Sequence, residues 1–422
     1  MTDRFDRGRA FRALNHQEFR SVYVAQLSTQ LGFWGSHVSL QKLMTDIGDD
    51  DPTLQGLLFF FLFIPALVVT PFTSPLADRL DRRRLLMTGY LIIVAWASCM
   101  AWLTFTDRLT AGLLLLVGGL LGVAFSITAP AAMGVVANAV PSRDIASAVS
   151  LQSASGNFSR IVGPLAVAPF LVRIGVGYAF VFYAAAAVIA LALLSRVRLS
   201  AYTPDPRSGA WQTVVEGMRH AAERSPALPA IGLLAVLSFF GVSTAALLPI
   251  FVTEELGHAD AGQFVYLVAA VGVGAVAGAL LVARMAEVPT LASVAIQAVA
   301  YGGCLVALAV APTLLIAVLV EVVLGFFYFG CTTRVSTLLQ SVVDDSKRGR
   351  VMGLFHMSLT GLVPIGSLVG GLVAKRLGVA ETLAAGGVVI VVVAAAVLIA
   401  QGEARSGARP DRPHPRPRPL PD

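Results

Sequence analysis

Charged residues are scarce in this sequence. Asp, Glu, Lys and Arg together make up 13% of the 422 residues, whereas apolar residues make up 56%. An ordinary soluble domain has about 25% charged residues. A soluble protein this apolar could not keep its surface hydrated, so the excess side chains are expected to face lipid or pack inside a bundle. The composition therefore predicts an integral membrane protein.

Cysteine is also rare, and clusters of reactive residues are missing. The three cysteines, Cys99, Cys304 and Cys331, lie in apolar stretches and form neither a disulfide framework nor a metal-ligand pattern. The sequence contains no Ser-His-Asp set, phosphate-binding glycine loop or metal-binding cluster. We therefore expect no cofactor, no metal and no enzyme activity.

Long apolar runs of about 20 residues or more, the length that crosses a bilayer, alternate with short charged connections. They lack strict apolar–polar alternation, so helices fit them and an outer-membrane barrel does not. The sequence predicts an all-α membrane protein with 12 transmembrane helices. The predicted spans are 19–45, 54–77, 85–106, 111–139, 145–172, 176–195, 227–253, 262–285, 289–310, 313–341, 350–376 and 381–401.

Most of the 31 Lys and Arg residues fall in alternate connections, in the N-terminal leader and in the C-terminal tail. Acidic residues cluster in the other connections, at 49–51 and 254–255. Basic connections are typical of the cytoplasmic side, so both termini are predicted to be cytoplasmic. The net charge of +6 thus reflects topology, and no nucleic-acid partner is expected.

The chain contains an internal repeat. Gly163 and Gly175 align with Gly366 and Gly378 at an offset of 203 residues, about half the chain. A repeat of this kind predicts two six-helix bundles in parallel orientation with a cavity between them near the bilayer midplane. The predicted domains are a cytoplasmic leader at 1–18, bundles at 19–195 and 227–401, a cytoplasmic linker with an amphipathic helix at 196–226, and a disordered Pro/Arg-rich tail at 402–422.

Three segments resemble a known family. Ser74–Arg84 reads SPLADRLDRRR and resembles the cytoplasmic signature of the major facilitator superfamily, Gly-x-x-x-Asp-Arg-x-Gly-Arg-Arg. The aspartate before its Arg run, together with Asn157–Pro164 (NFSRIVGP) and Arg348–Gly353 (RGRVMG), resembles the enterobactin-exporter and macrolide-efflux branch of drug:proton antiporters. The likeness covers about residues 19–400. It departs at Ser74, which replaces a glycine, and at Phe33, where many relatives have an acidic residue.

The loop after the second span is predicted to act as a latch. Asp78 is a negative charge that favours a helix N-terminus, and the resemblance implies that this is the start of span eleven, near Gly349 and Arg350. The alternative is that Asp78 is solvated and the loop's arginines only fix topology. The candidate gating residues are Asp78, Arg79, Arg83, Asn157, Arg160, Gly163, Pro164, Arg348, Gly349 and Arg350.

Polar side chains lie along one stripe of span one. Gln26, Gln30, Trp34, His37 and Gln41 recur at helical spacing there. The stripe is predicted to line a pathway for substrate and protons. The alternative is hydrogen bonding between helices, with His37 as a neutral imidazole bonded to a neighbour.

Two ionisable groups lie deeper in apolar spans, where a charge is costly unless it faces a cavity or a partner. Glu321 in span ten is expected either to carry a coupling proton or to lock two helices by a permanent bond. Arg160 in span five needs a partner, and the candidates are Asp78, Glu321 and backbone carbonyls. Lys42 and Asp46, one helical turn apart, are expected to form an interfacial pair.

Together these features predict a secondary transporter of the bacterial cytoplasmic membrane, which exports an amphipathic drug, macrolide or siderophore in exchange for protons. The expected partners are a small-molecule substrate, protons and the lipid bilayer, and the expected state is a monomer. The alternatives are a nutrient uptake permease or facilitator and a non-transporting membrane sensor.

Overall fold

The structure, a computed structural model, describes residues 11–69, 81–197, 218–222, 226–258, 260–284, 288–344 and 347–407. Within these ranges every regular element is helical. The first six long helices are α1 Gln17–Ile47, α2 Pro52–Val68, α3 Arg82–Phe105, α4 Ala111–Asn138, α5 Ile145–Pro169 and α6 Gly177–Ser195. The next six are α7 Ala227–Phe240, α8 Phe264–Arg284, α9 Leu291–Ala309, α10 Leu314–Val342, α11 Arg348–His356 with its continuation Val363–Leu377, and α12 Val379–Gly407.

Nine of the described helical stretches are long and apolar enough to cross a membrane; they correspond to α3, α4 and α6–α12. The helix α2, Pro52–Val68, is apolar but shorter. Residues 70–77 of the predicted second span lie outside the described ranges. The helices α1 and α5 carry more polar side chains. The all-helical membrane fold predicted from composition is confirmed.

Side-chain caps start several of these helices. The carboxylate of Asp51 accepts a hydrogen bond from the Thr53 backbone N–H, and Asp81 caps α3 in the same way through the Arg83 N–H. The hydroxyl of Thr110 accepts from a backbone N–H at the start of α4. Such caps satisfy backbone donors that the first turn of a helix leaves unpaired, so each connection fixes where the next helix begins.

The internal repeat is visible in the packing. In the first half α1 packs against α5 and α6, α2 against α4, and α3 against α4 and α6. The equivalent helices of the second half, whose numbers are higher by six, make the matching contacts, including α8 with α10 and α9 with α12. One hydrophobic core lies among α1–α6, and a second is built mainly by α7–α12. The chain therefore forms two pseudo-symmetric six-helix bundles.

Helix endings repeat as well. Gly175 ends the π turn that follows α5, and Gly378 ends α11. Both have positive φ, 129° and 104°, a conformation that a residue with a Cβ adopts only with strain. They are separated by the offset of 203 residues found in the sequence, so the repeat there preserves a backbone turn.

The two bundles meet along two helix pairs, α2 with α11 and α5 with α8. At the first, Gly56 and Gly371 face each other, and a Cβ built on Gly371 would lie 3.1 Å from the Gly56 Cα. At the second, Gly272 of α8 lies against Ile161 of α5. Glycine permits this close backbone approach between the halves.

Two helices depart from α geometry along their length. The helix α7 continues through the 3-10 segment Val242–Leu247 and, further on, the π turn Phe251–Glu255. The helix α11 is interrupted by the π turn Met357–Gly361. Such irregular turns free backbone groups and often mark functional segments.

Helix ends differ from some predicted boundaries. The helix α12 continues to Gly407, beyond the predicted end of the second bundle at 401. Before α1, the short turn Arg12–Asn15 packs against the bundle, because the Ala13 N–H donates to the Ser147 hydroxyl. Residues 198–217, which include most of the predicted amphipathic linker helix, and residues 408–422 lie outside the described ranges.

Candidate substrate cavity

A cavity of about 280 Å³ lies between the two bundles. Helices of both halves line it, and the irregular segments of α7 and α11 contribute Thr244 and Thr360. Most of the lining is apolar. The polar lining residues are His37, Gln41, Arg160, Thr244, Tyr301, Glu321, Tyr328, Thr332 and Thr360. A mostly apolar cavity with a few polar groups is typical of sites for small organic ligands.

The polar stripe of α1 is divided between two roles. Trp34, His37 and Gln41 line the cavity, as the sequence predicts. Gln26 instead donates from Nε2 to the Ala132 carbonyl of α4, 3.0 Å away, and Gln30 is not part of the lining. For Gln26 the structure matches the alternative interpretation, a hydrogen bond between helices. The long α1 passes α4 before it reaches the cavity, so the same polar stripe makes the hydrogen bond to α4 and part of the cavity lining.

His37 is buried among aromatic rings. Its imidazole lies 5.0 Å from the Phe59 ring and 5.5 Å from the Phe63 ring, and Trp34 is at 5.8 Å on its own helix. The Nδ1 atom is buried without a hydrogen-bond partner among the described residues. The interpretation of His37 as an imidazole bonded to a neighbour therefore lacks support in the described part of the chain.

Arg160 lies between aromatic rings of both halves. Its guanidinium carbon is 4.9 Å from the Trp34 ring centre in α1 and 5.4 Å from that of Phe329 in α10. Of the expected partners, Glu321 is not within ion-pair distance, and Asp78 lies outside the described residues. In the described ranges no carboxylate and no backbone carbonyl pairs with Arg160, and its contacts there are the cation–π contacts with Trp34 and Phe329.

Glu321 is 3% exposed and lines the same cavity. Among the described residues no cation or hydrogen-bond donor pairs with its carboxylate, so no permanent bond locks α10 to a neighbour through this side chain. Tyr301 of α9 also lines the cavity. Tyr301 is not predicted from the sequence, because a lone tyrosine in an apolar span looks like an ordinary core residue.

The predicted gating residues occupy several places. Arg83 donates to the carbonyls of Leu194 and Ser195 at 3.0 and 2.6 Å, and thus ties α3 to the end of α6 within one bundle. Gly163 and the buried Pro164 of α5 lie beside α1, where a Cβ on Gly163 would meet the Trp34 Cβ at 2.8 Å.

The two ends of the predicted latch are described unequally. The helix α11 begins at Arg348, so the predicted N-terminus, with Gly349 and Arg350 in its first turn, is present. Asp78 and Arg79 lie outside the described ranges, as do the side chains of Asn157 and Arg348. The latch stays a prediction.

One end of the bundle carries contacts between the halves. We call it the α1–α2 end, after the connection located there. The Lys42 Nζ lies 3.0 Å from Asp46 on its own helix, as expected, and also 2.9 Å from Asp260 before α8. Thr253 donates to Asp50 at 3.1 Å. The Lys375 Nζ of α11 contacts Asp51 at 2.7 Å. These polar contacts connect the two bundles at this end.

At the opposite end, His16 and Asp144 form a partly buried contact within the first bundle. His16 Nε2 lies 2.9 Å from Asp144 Oδ2. The hydrogen bond from His16 holds the pKa of Asp144 below its usual value, with a further contribution from the nearby charge of Arg143. The contact joins the start of α1 to the connection before α5.

Comparison with known proteins decides the family. The sequence model of the family described as "Transmembrane secretion effector" matches residues 9–416. The chain belongs to this family of major facilitator transporters. The match includes both bundles, so the chain is a membrane transporter of the major facilitator type.

A relative of this transporter is the "Uncharacterized MFS-type transporter YfiS" of Bacillus subtilis (strain 168), which is 23% identical over 409 residues, 93% of this chain and 95% of the relative. Among solved structures, the nucleoside transporter NupG has a TM-score of 0.73 at 14% identity, covering 90% of this chain and 98% of NupG. A bacterial homologue of the human lysosomal transporter Spinster, solved "in Inward-facing And Unoccupied Conformation", has a TM-score of 0.66 at 14% identity, covering 96% and 100%. These structures share the fold.

Proposed function

We propose that this transporter exports an amphipathic small molecule across the bacterial cytoplasmic membrane in exchange for protons. The observation that carries the proposal is the cavity between the bundles, in which a carboxylate, a guanidinium and an imidazole meet a mostly apolar wall. Apolar walls favour the body of an amphipathic molecule, and an unpaired buried carboxylate favours exchange of a proton.

Alternating access is supported by contacts between the bundles at one end. Polar contacts join the halves at the α1–α2 end, through Lys42 with Asp260 and Lys375 with Asp51. With both termini on the cytoplasmic side, as the charge distribution favours, this end faces the exterior. The contacts then stabilise a state closed to the outside, and the predicted latch between Asp78 and the start of α11 stabilises the opposite state.

Glu321 and His37 are the proposed proton carriers. Both line the cavity, and neither is bonded to a described residue. A proton on Glu321 keeps the carboxyl neutral in the apolar cavity, and its release toward the cytoplasm precedes the binding of cargo there. The exchange of cargo for a proton couples export to the proton gradient. This assignment extends the resemblance to the enterobactin-exporter and macrolide-efflux branch, and it includes no enzymatic step.

Transport in proteoliposomes tests the proposal. The purified monomer is reconstituted with an acidic lumen, and uptake of a macrolide, a catecholate siderophore and a lipophilic dye is measured with and without the ionophore nigericin. Proton-driven antiport carries at least one of them into the lumen, and collapse of the gradient abolishes its accumulation. Accumulation indifferent to the gradient, or equal in empty liposomes, would contradict the proposal.

A further inference from the structure

Arg160 keeps a permanent charge inside the cavity. A carboxyl group or an imidazole can become neutral in an apolar setting, but a guanidinium stays protonated in proteins. An isolated cation at this depth is costly unless something compensates it. Arg160 is partly exposed, so its charge is compensated by the protein, by water in the cavity and, when cargo is bound, by a ligand.

The protein compensates the charge of Arg160 only in part. The rings of Trp34 and Phe329 attract the cation, but they offer no acceptor of carboxylate strength to its N–H groups. In the described ranges, the guanidinium has neither a carboxylate within 4.0 Å nor a hydrogen-bond acceptor. Glu321, the acidic residue of the lining, is elsewhere on the wall.

The remaining compensation fits an acidic cargo. We propose that the cavity binds an amphipathic molecule bearing a carboxylate or similar acidic group, which pairs with Arg160 while its apolar body lies against the aromatic wall. This inference rests on the proposed transport function and names its substrate class. Arg160 and Trp34 belong to the first bundle and Phe329 to the second, so the bound anion sits where the halves meet.

An organic cation is the disfavoured cargo. Within a cavity of about 280 Å³ it would place a second positive charge near Arg160. The carboxylate that Glu321 carries after releasing its proton does not reverse this preference, because it lies elsewhere on the wall and is not within 4.0 Å of Arg160. The acidic cargo neutralises Arg160, which cannot neutralise itself.

Binding by three matched compounds tests the proposal. The probes are 2-naphthylacetate, its neutral amide and 2-naphthylethylamine, which share the same ring system. Their affinities for the purified full-length transporter are measured from the ligand-dependent shift of its thermal midpoint, since a ligand that binds only the folded state stabilises it. The carboxylate is expected to bind about 10- to 100-fold more tightly than the amide, and the amine more weakly than both.

Two variants locate the site. Arg160→Met removes the charge at similar length and is expected to erase the preference for the carboxylate. Arg160→Lys keeps the charge without the planar fork and should retain a reduced preference. Size-exclusion chromatography and the ligand-free midpoint show whether each variant is folded, and the selectivity of the unchanged protein tests the proposal independently of them.

The outcomes separate this proposal from the transport function. Equal responses to the three compounds, including no response to any, or a preference for the amine would overturn the acidic-cargo proposal. An unchanged preference in Arg160→Met would also overturn it. Selective binding of the carboxylate without gradient-driven uptake in proteoliposomes would support the anion site and contradict proton-coupled export.

Discussion

Lys375 of α11 lies 2.7 Å from Asp51, the residue that also caps α2. A matching contact is made by Lys42 with Asp260, whose carboxylate accepts from the Gly262 backbone N–H ahead of α8. Because α2 and α8 occupy equivalent positions in the two bundles, each half presents a capping aspartate that holds a lysine of the other half. Lys42 and Lys375 are two of only three lysines in the chain. The α1–α2 end is thus held by two related cross-bundle pairs.

Asp260→Asn should weaken this closure, whereas Asp46→Asn should not. Both carboxylates contact Lys42, but only Asp260 belongs to the other bundle. Exposed or half-exposed pairs contribute about 0–1 kcal/mol, so the ratio of open to closed states should rise up to about 5-fold. The measurement is the labelling rate of a cysteine at Thr244 by an impermeant maleimide, in a background without native cysteines. Equal rates in the two variants would count against a cross-bundle role for Asp260.

The pair Lys375–Asp51 should show a measurable coupling in a double-mutant cycle. Lys375→Met and Asp51→Asn each break the ion pair, and asparagine preserves the helix cap because it is a good N-cap residue. Each single change should raise the same labelling rate. The double change should raise it by a similar factor, because the first substitution already breaks the ion pair and the second has no further interaction to remove. Additive effects would mean that the two residues act independently.

Gly371→Ala should destabilise the contact between α2 and α11, whereas Gly370→Ala should not. A methyl group at Gly371 would meet the Pro52 carbonyl and the Gly56 Cα, and these backbone atoms cannot move aside as a side chain can. A Cβ at Gly370 meets nothing within 4 Å. Overpacking at such sites costs about 1–3 kcal/mol. The thermal midpoints of the two variants in detergent provide the comparison, and equal midpoints would refute the tight packing.

Several features were predictable from the sequence. Apolar run lengths predict the membrane helices, and the 203-residue offset predicts the paired bundles, because span length and helix-ending glycines are local properties of the chain. Trp34, His37, Gln41 and Glu321 were expected at a pathway because polar groups in lipid-spanning helices need a cavity or a partner.

Other features depend on how distant helices meet. No local pattern tells Gln26, which bonds to α4, from Gln41 on the same stripe, which reaches the cavity. The contact of Lys42 with Asp260 depends on the register between two bundles, so sequence spacing predicted only its partner Asp46. The aromatic neighbours of Arg160 come from α1 and α10, and their convergence follows from the closure of the bundles.

The contact between His16 and Asp144 should make stability depend on acid pH. Folding lowers the pKa of Asp144, so its ionised form contributes stability above the ordinary value of about 3.9, and this contribution is lost as the pH falls through the folded pKa. Asp144→Asn should therefore lower the thermal midpoint at pH 6, and the difference from the unchanged protein should shrink toward pH 3. Asp107→Asn, in the exposed α3–α4 connection, is the control and should show no such trend. A constant difference for Asp144→Asn across this range would contradict the assignment.

Glu321→Gln should separate transport from its driving force. Glutamine keeps the shape and polarity of the side chain but cannot release a proton, so accumulation driven by a pH gradient should be lost. Exchange of labelled for unlabelled substrate without a gradient should persist, because the cavity remains intact. Glu381→Gln changes an exposed carboxyl at the start of α12, away from the cavity, and should leave both activities unchanged. The decisive measurement is the ratio of gradient-driven uptake to exchange in the same proteoliposomes. An unaltered ratio in Glu321→Gln would remove this residue from the proton pathway and leave His37 as the remaining candidate.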